Sequence, residues 1–145
     1  MILISHRGNL NGPDLKNENK PSQIESVIKK GFYVEIDVWL INNKYWLGHD
    51  KPQYPTTFNW LNEIKSHSYI HCKNHELIEA LYQSDMNFFW HDNDDMTITS
   101  FGHMWCHPKI KPIKNCIAVL PEINNWNLEL CFGICSDFIQ RYSEF

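Results

Sequence analysis

Residues 32–41 read FYVEIDVWLI, and their β-branched and aromatic side chains predict a strand. Residues two apart point to the same side of a strand, so Glu35 and Asp37 share one side while the alternating valine and isoleucine residues pack on the other. Two carboxylates this close repel each other, and one takes up a proton unless a cation lies between them. The spacing therefore indicates a hard-metal site, with solvated acids on an exposed strand as the alternative.

Short apolar runs on both sides of this stretch predict further strands. The eight strand candidates are residues 2–5, 32–41, 45–48, 69–73, 88–91, 103–106, 116–120 and 132–136. The Asn42-Asn43 pair lies between the second and third candidates and predicts a tight turn, which would join them as a hairpin.

Three helices are predicted between these strands. Ser22 begins the first with Glu25 at capping-box spacing, and Gly31 ends it. Thr57 and Asn74 are the cap candidates of the second and third helices, each followed by apolar residues at helical spacing.

The order of the elements favours an α/β domain spanning residues 1–145. Eight strands alternating with helices are typical of a TIM-type (β/α)8 barrel, but such barrels usually need about 200 residues or more. The 145 residues suffice only if several crossover helices are shortened or missing. Periodicity alone is equally compatible with an open doubly wound sheet.

Charge and composition restrict the partners. The chain has a formal net charge of −4 at pH 7 and no extensive lysine or arginine cluster, which argues against nucleic acid. It has no apolar run of about 18 residues, as a transmembrane segment requires, and residues 1–7 do not resemble a signal peptide. We therefore expect a cytoplasmic protein whose five cysteines, with no CxxC pair, stay reduced.

Polar side chains collect where the predicted strands end. His6 follows the first strand, His49 follows the hairpin, and His71 and Lys73 share one side of a later strand. Carboxyl ends of strands are where α/β proteins place their binding sites. We expect these residues to converge with Glu35 and Asp37.

In order and spacing, several motifs resemble the glycerophosphodiester phosphodiesterase family. They are His6-Arg7-Gly8, Glu18-Asn19, Gly31 followed by VEIDV at 34–38, His49-Asp50, IHCK at 70–73 and GICSD at 133–137. The similarity is strongest over residues 5–50 and loose over residues 85–130.

This resemblance implies a (β/α)8 barrel that binds a divalent cation, Mg²⁺ or Ca²⁺, and hydrolyses a small-molecule or lipid-derived phosphodiester. His6 and His49 match the two histidines that act as acid and base. Arg7 and Lys73 match positions that contact phosphate oxygens, and Glu18 matches a site residue near the cation.

The chain departs from the family pattern in two places. The third metal carboxylate of the family is replaced by His71, so that Glu35, Asp37 and His71 would hold the cation and Mn²⁺ or Zn²⁺ becomes an alternative. Glu122 is a second candidate for the missing carboxylate. The usual insertion after the His49-Asp50 motif is almost absent, which affects substrate recognition.

Two other functions remain open from the residues. A non-catalytic descendant of the family would bind a phosphorylated ligand without hydrolysing it. A structural zinc protein would use the soft ligands in residues 71–75 (HCKNH) and 103–107 (HMWCH).

Few helices are predicted late in the chain, and this leaves apolar strand faces to be covered. The residues concerned are Phe101, Met104, Trp105, Ile117 and Val119. We expect either a homodimer through that side or long loops over it, since large apolar patches are rare on monomers.

Overall fold

The computed structural model describes residues 1–144, and within them ten strands and three α-helices occur. The strands are β1 (Ile2–His6), β2 (Tyr33–Ile41), β3 (Lys44–Leu47), β4 (Tyr54–Thr56), β5 (Ser68–Cys72), β6 (Phe88–Phe89), β7 (Met96–Ile98), β8 (Met104–Cys106), β9 (Cys116–Val119) and β10 (Gly133–Ser136). The helices are α1 (Pro21–Lys29), α2 (Phe58–Ile64) and α3 (His75–Leu81). Short 3₁₀ segments cover Lys65–His67, Pro121–Ile123 and Ile139–Glu144.

All ten strands belong to one curled, mixed sheet. Its main path runs β4-β3-β2-β1-β10-β9-β8-β7, and β5 pairs with both β2 and β6. The pairs from β6 through β5, β2, β1, β10 and β9 to β8 are parallel. The pairs β2–β3, β3–β4 and β7–β8 are antiparallel.

The sheet forms a half-barrel, so the predicted (β/α)8 barrel with shortened or missing helices is wrong. The three α-helices all precede β6, and the strands from β6 to β10 are joined by loops and one 3₁₀ turn within residues 1–144. A (β/α)8 barrel requires a helix after each parallel strand. In addition, β3, β4 and β7 form antiparallel pairs, which such a barrel lacks.

The local signals for turns and helix starts are confirmed in part. Thr57 caps α2, because its side chain accepts a hydrogen bond of 3.1 Å from the Trp60 amide. The predicted capping box of α1 is wrong, since the helix begins at Pro21 and Glu25 instead accepts a hydrogen bond from the Trp60 indole at 2.8 Å. Asn42 and Asn43 both have positive φ and form the predicted hairpin turn between β2 and β3.

Asn74 lies before α3 as predicted, but its side chain does not cap that helix. It donates to the Leu40 carbonyl at 2.7 Å and accepts from the Leu40 amide at 3.1 Å. The asparagine therefore ties the loop after β5 to the neighbouring strand β2.

The sheet separates two apolar clusters. Val34, Ile36 and Val38 lie on the outer side and pack in the cluster that includes the buried residues of the three helices. The concave side holds a second cluster, which we call the inner cluster: Ile4, Tyr69, Phe89, Trp105, Ile117, Val119 and Cys135. Alternation along β2 directs Glu35 and Asp37 to the concave side, as predicted.

The strand faces that were expected to need cover lie largely inside the curl. Trp105, Ile117 and Val119 are at most 5% exposed and belong to the inner cluster. Phe101 is an exception, with 55% of its surface exposed. The packing of these three residues is therefore accounted for within one chain.

The longest of the three α-helices has nine residues. In the part of the chain that the structure describes, no helix has the length and apolar character required to cross a membrane.

Candidate functional site

Strand register brings predicted site residues together near the carboxyl ends of β1 and β5 and in the middle of β2. His6 on β1 is the register partner of Glu35, and His71 on β5 is the register partner of Asp37. They surround a pocket of about 360 Å³ on the concave side. The ionisable side chains of its lining are His6, Arg7, Glu35, His49, His71, Lys73, His91, Asp92 and His107.

Three potential metal ligands face one another beside this pocket. Nδ1 of His71 lies 3.1 Å from Oδ1 of Asp37 and 3.8 Å from Oε1 of Glu35. Nε2 of the same ring donates to the backbone carbonyl of His91 at 3.1 Å. In the neutral ring this bond places the single N–H on Nε2 and leaves Nδ1 with a lone pair facing the two carboxylates, whereas in the protonated ring the Nδ1–H donates to Asp37.

This arrangement fits a bound cation. Lone pairs of three acceptors repel one another unless a proton or a cation lies among them. Oε2 of Glu35 is buried and has no hydrogen-bond partner among the described residues. A histidine that donates its second N–H to a backbone carbonyl is also the usual arrangement of a metal ligand. Ligand atoms of Glu35, Asp37 and His71 all lie within 4.8 Å of one another.

The two carboxylates have different surroundings. The pKa of Glu35 is raised because the group is buried and lies beside Asp37. Burial also acts to raise the pKa of Asp37, but His71, Arg7 and Lys73 outweigh it and hold this pKa well below its usual range. Nε of Arg7 lies 3.3 Å from Asp37 Oδ2, and Nζ of Lys73 lies 3.9 Å from Oδ1.

Asn19 fixes the orientation of Asp37. Its side-chain amide donates to Asp37 Oδ2 at 2.9 Å, and its carbonyl oxygen accepts from the Asp37 backbone amide at 3.0 Å. Asn19 is 1% exposed and has a φ of 58°, a conformation that asparagine tolerates better than most residues. The motif that contains it was noted in the sequence, but its contact with Asp37 was not predicted.

His6 is held by a carboxylate on each side of its ring. Nδ1 donates to Oδ1 of Asp137 at 2.7 Å, while Nε2 lies 3.8 Å from Oε2 of Glu35. Burial acts to lower the pKa of His6, but the Asp137 hydrogen bond and the charge of Glu35 outweigh it, and the pKa is raised. The ring is therefore oriented with Nε2 on the side of the acids and the pocket.

His49 is more exposed than His6 and lies at the rim of the pocket. Its Nδ1 lies 2.7 Å from Oδ1 of Asp50, whose side chain is 93% exposed. Partial burial lowers the pKa of His49. The preceding Gly48 has a φ of 152°, and a Cβ there would collide with the Lys51 carbonyl oxygen, so the sharp turn that presents His49 requires glycine.

Glu18 and Glu122 lie outside the three-ligand group. Oε2 of Glu18 lies 3.5 Å from Arg7, and its Oε1 accepts a hydrogen bond of 2.9 Å from Asn9. Glu122 accepts from the Ser136 hydroxyl at 2.9 Å and from the Asp137 amide at 3.0 Å. Glu18 thus positions Arg7, and Glu122 supports the end of β10.

The far wall of the pocket contains two further histidines. The rings of His91 and His107 are 4.1 Å apart between centroids, and Nδ1 of each is buried without a hydrogen-bond partner in residues 1–144. Burial and the neighbouring His107 and His71 lower the pKa of His91 to about 4. Both rings are separated along the chain from every motif of the site, so only the fold brings them there.

The two soft-ligand motifs do not form a common cluster. Cys72 lies in the outer core, on the opposite side of β5 from His71, and burial raises its pKa to about 12. The ring of His75 packs against Trp90 instead. Among the residues that the structure describes, only Glu35, Asp37 and His71 bring three ligand atoms together.

The comparisons with known proteins leave the family open. No protein-family model matches the chain, and neither the curated proteins nor the solved structures give a significant match. The resemblance to glycerophosphodiester phosphodiesterases thus depends on the motifs and on the geometry of this pocket.

Proposed function

We propose that the chain is a metal-dependent phosphodiesterase that hydrolyses a glycerophosphodiester-like substrate. The observation that supports it best is the group of three facing acceptors, Glu35, Asp37 and His71, two of which, Glu35 and His71, line the same pocket as His6 and His49. The pocket thus combines a cation-binding group with two imidazoles. Either feature alone also occurs in proteins that catalyse no reaction.

The charges of the pocket suit a phosphodiester. Such an ester reacts slowly because its anionic oxygens repel nucleophiles. Arg7 and Lys73 line the pocket and can pair with these oxygens. A divalent cation held by Glu35, Asp37 and His71 would act as a Lewis acid on the phosphoryl oxygens.

His6 and His49 supply the proton transfers. In each ring Nδ1 is engaged by a carboxylate, Asp137 or Asp50, and Nε2 remains to act on the substrate. One imidazole removes the proton from the nucleophile, which is water or a vicinal hydroxyl of the substrate. The other gives a proton to the leaving alkoxide as its bond to phosphorus breaks.

A turnover assay tests the proposal. The purified protein is incubated with glycerophosphocholine, glycerophosphoethanolamine and bis(p-nitrophenyl) phosphate, each with Mg²⁺, Ca²⁺, Mn²⁺ or Zn²⁺, and products are followed by ³¹P NMR. We expect metal-dependent hydrolysis that Asp37→Asn abolishes and that His75→Ala, a change of an exposed histidine on α3, leaves intact. Binding of these diesters without turnover by any cation would instead identify a non-catalytic phospho-ligand protein.

A further inference from the structure

A second pocket, of about 220 Å³, lies at the end of the sheet opposite to the candidate active site. Ile2, Tyr33 and Ser68 begin strands β1, β2 and β5, and all three line it. The remaining lining residues are Lys65, Ser66, Tyr69, Asn87, Phe101, His103 and Phe132. The amino ends of parallel strands lie at the same edge of a sheet, so this pocket lies at the edge opposite to the candidate active site. Residues of the inner cluster separate the two pockets.

Aromatic rings form most of its walls. Tyr33 lies 6.3 Å from Tyr69 and His103 lies 4.8 Å from Phe132, measured between ring centroids. Phe132 and Phe101 remain 40% and 55% exposed. Such surfaces favour contact with another ring, in stacked or edge-to-face geometry.

Two polar side chains in the lining are buried without partners. Ser68 is 3% exposed and Asn87 is 4% exposed. Neither Oγ of Ser68 nor Oδ1 of Asn87 has a hydrogen-bond partner among residues 1–144. A buried acceptor without a donor is destabilising, so a ligand that supplies an N–H or O–H would relieve that cost.

The charged groups near this pocket are already neutralised. Lys65 forms a 2.6 Å ion pair with Asp85. Nδ1 of His103 is hydrogen-bonded to the Tyr69 hydroxyl at 3.0 Å, and partial burial lowers the pKa of His103, which favours the neutral ring. The lining thus favours an uncharged ligand over an anion.

We propose that this pocket binds a small neutral aromatic compound carrying an N–H or O–H donor, held between the rings and bonded to Asn87 or Ser68. The volume agrees with this class, because a cavity of about 150 Å³ is known to hold one benzene ring. The site is distinct from the phosphodiester pocket, and the proposal does not depend on the proposed function.

Three probes separate the contributions of ring and donor. Indole has both, 1-methylindole has the ring without the N–H, and cyclohexanol has the O–H without an aromatic ring. We expect indole to bind in saturation-transfer NMR and titration. Loss of one hydrogen bond should make 1-methylindole about fivefold weaker, and cyclohexanol should not bind detectably.

Variants test whether indole binds in this pocket. Asn87→Leu should weaken indole to the level of 1-methylindole, and Ser68→Ala provides a smaller change if the first variant does not fold. Asp37→Asn, at the other end of the sheet, should leave indole affinity unchanged. Amide shifts on titration should be confined to the neighbourhood of Phe132 and Tyr33.

Several results would overturn the proposal. Absence of indole binding up to its solubility limit would show that the pocket does not bind this class of ligand. Equal affinity for indole and 1-methylindole in the wild type would remove the role of the buried acceptors. Shifts centred on His49 would place the ligand in the other pocket.

Discussion

Nδ1 of His71 faces Oδ1 of Asp37 at 3.1 Å, while the other nitrogen of the same ring is committed to the His91 carbonyl. The backbone of the loop after β6 therefore determines which nitrogen of His71 meets the carboxylates. This second contact holds the imidazole in one orientation, which is the arrangement that a metal-ligating histidine has in proteins.

We expect His71→Glu to change the metal preference. A third carboxylate suits hard cations, so binding of Mg²⁺ and Ca²⁺ should strengthen relative to Mn²⁺ and Zn²⁺. Calorimetric titration of each cation into both proteins measures this order. His75→Glu, which adds the same charge on exposed α3, is the matched control. An unchanged order would show that His71 is not a ligand and would direct attention to Glu122.

Removal of either imidazole should abolish most of the activity. His6→Ala and His49→Ala should each lower kcat by about 10²-fold or more, the usual contribution of an acid or base. Circular dichroism should remain that of the wild type, and His75→Ala should retain full turnover. Near-normal kcat in either variant would refute the acid/base assignment.

Asp137→Asn should shift the pH profile. The carboxylate raises the pKa of His6, so its removal lowers that pKa. The limb of the kcat/KM profile that belongs to His6 should then move to lower pH, whichever of the two roles His6 has. Asp50→Asn should shift the His49 limb in the same direction but less, because Asp50 is exposed and its charge is screened by solvent. Equal profiles for wild type and Asp137→Asn would exclude this role.

Asn19→Ala should destabilise the fold. It removes both hydrogen bonds to Asp37 and places alanine at a positive φ, with an expected loss of about 1–3 kcal/mol in the free energy of unfolding. Urea denaturation measures the loss. Asn43→Ala, at a similar φ of 60° in the exposed hairpin turn, supplies the backbone effect alone. Equal losses in the two variants would show that the contact with Asp37 contributes nothing.

The sequence was sufficient to predict which side chains meet at the centre of the candidate site. Alternation along β2 placed Glu35 and Asp37 on one side, and the same rule selected His71 on β5. These positions follow from local geometry, since a strand has a fixed period of two residues.

The closure of the sheet was not predictable in the same way. Strand candidates late in the chain were correct in position, but their number suggested a barrel whose helices do not occur within residues 1–144. Whether the segment between two parallel strands forms a helix depends on its length and packing. Residues 107–115, between β8 and β9, have no helical periodicity that would have predicted either outcome. His91 and His107 were missed as a pair for a related reason, because only the pairing of distant strands brings them together.

The Asp137 contact also bears on the timing of folding during synthesis. His6 and Asp137 are 131 residues apart in the chain, and β1 pairs with β10 over the same separation. A nascent chain can pair β2 with β5 and so assemble Asp37 and His71 while its last strand is still inside the ribosome. His6 acquires its orienting carboxylate only after residue 137 has emerged, so the group of Asp37 and His71 can form before the ring of His6 is fixed.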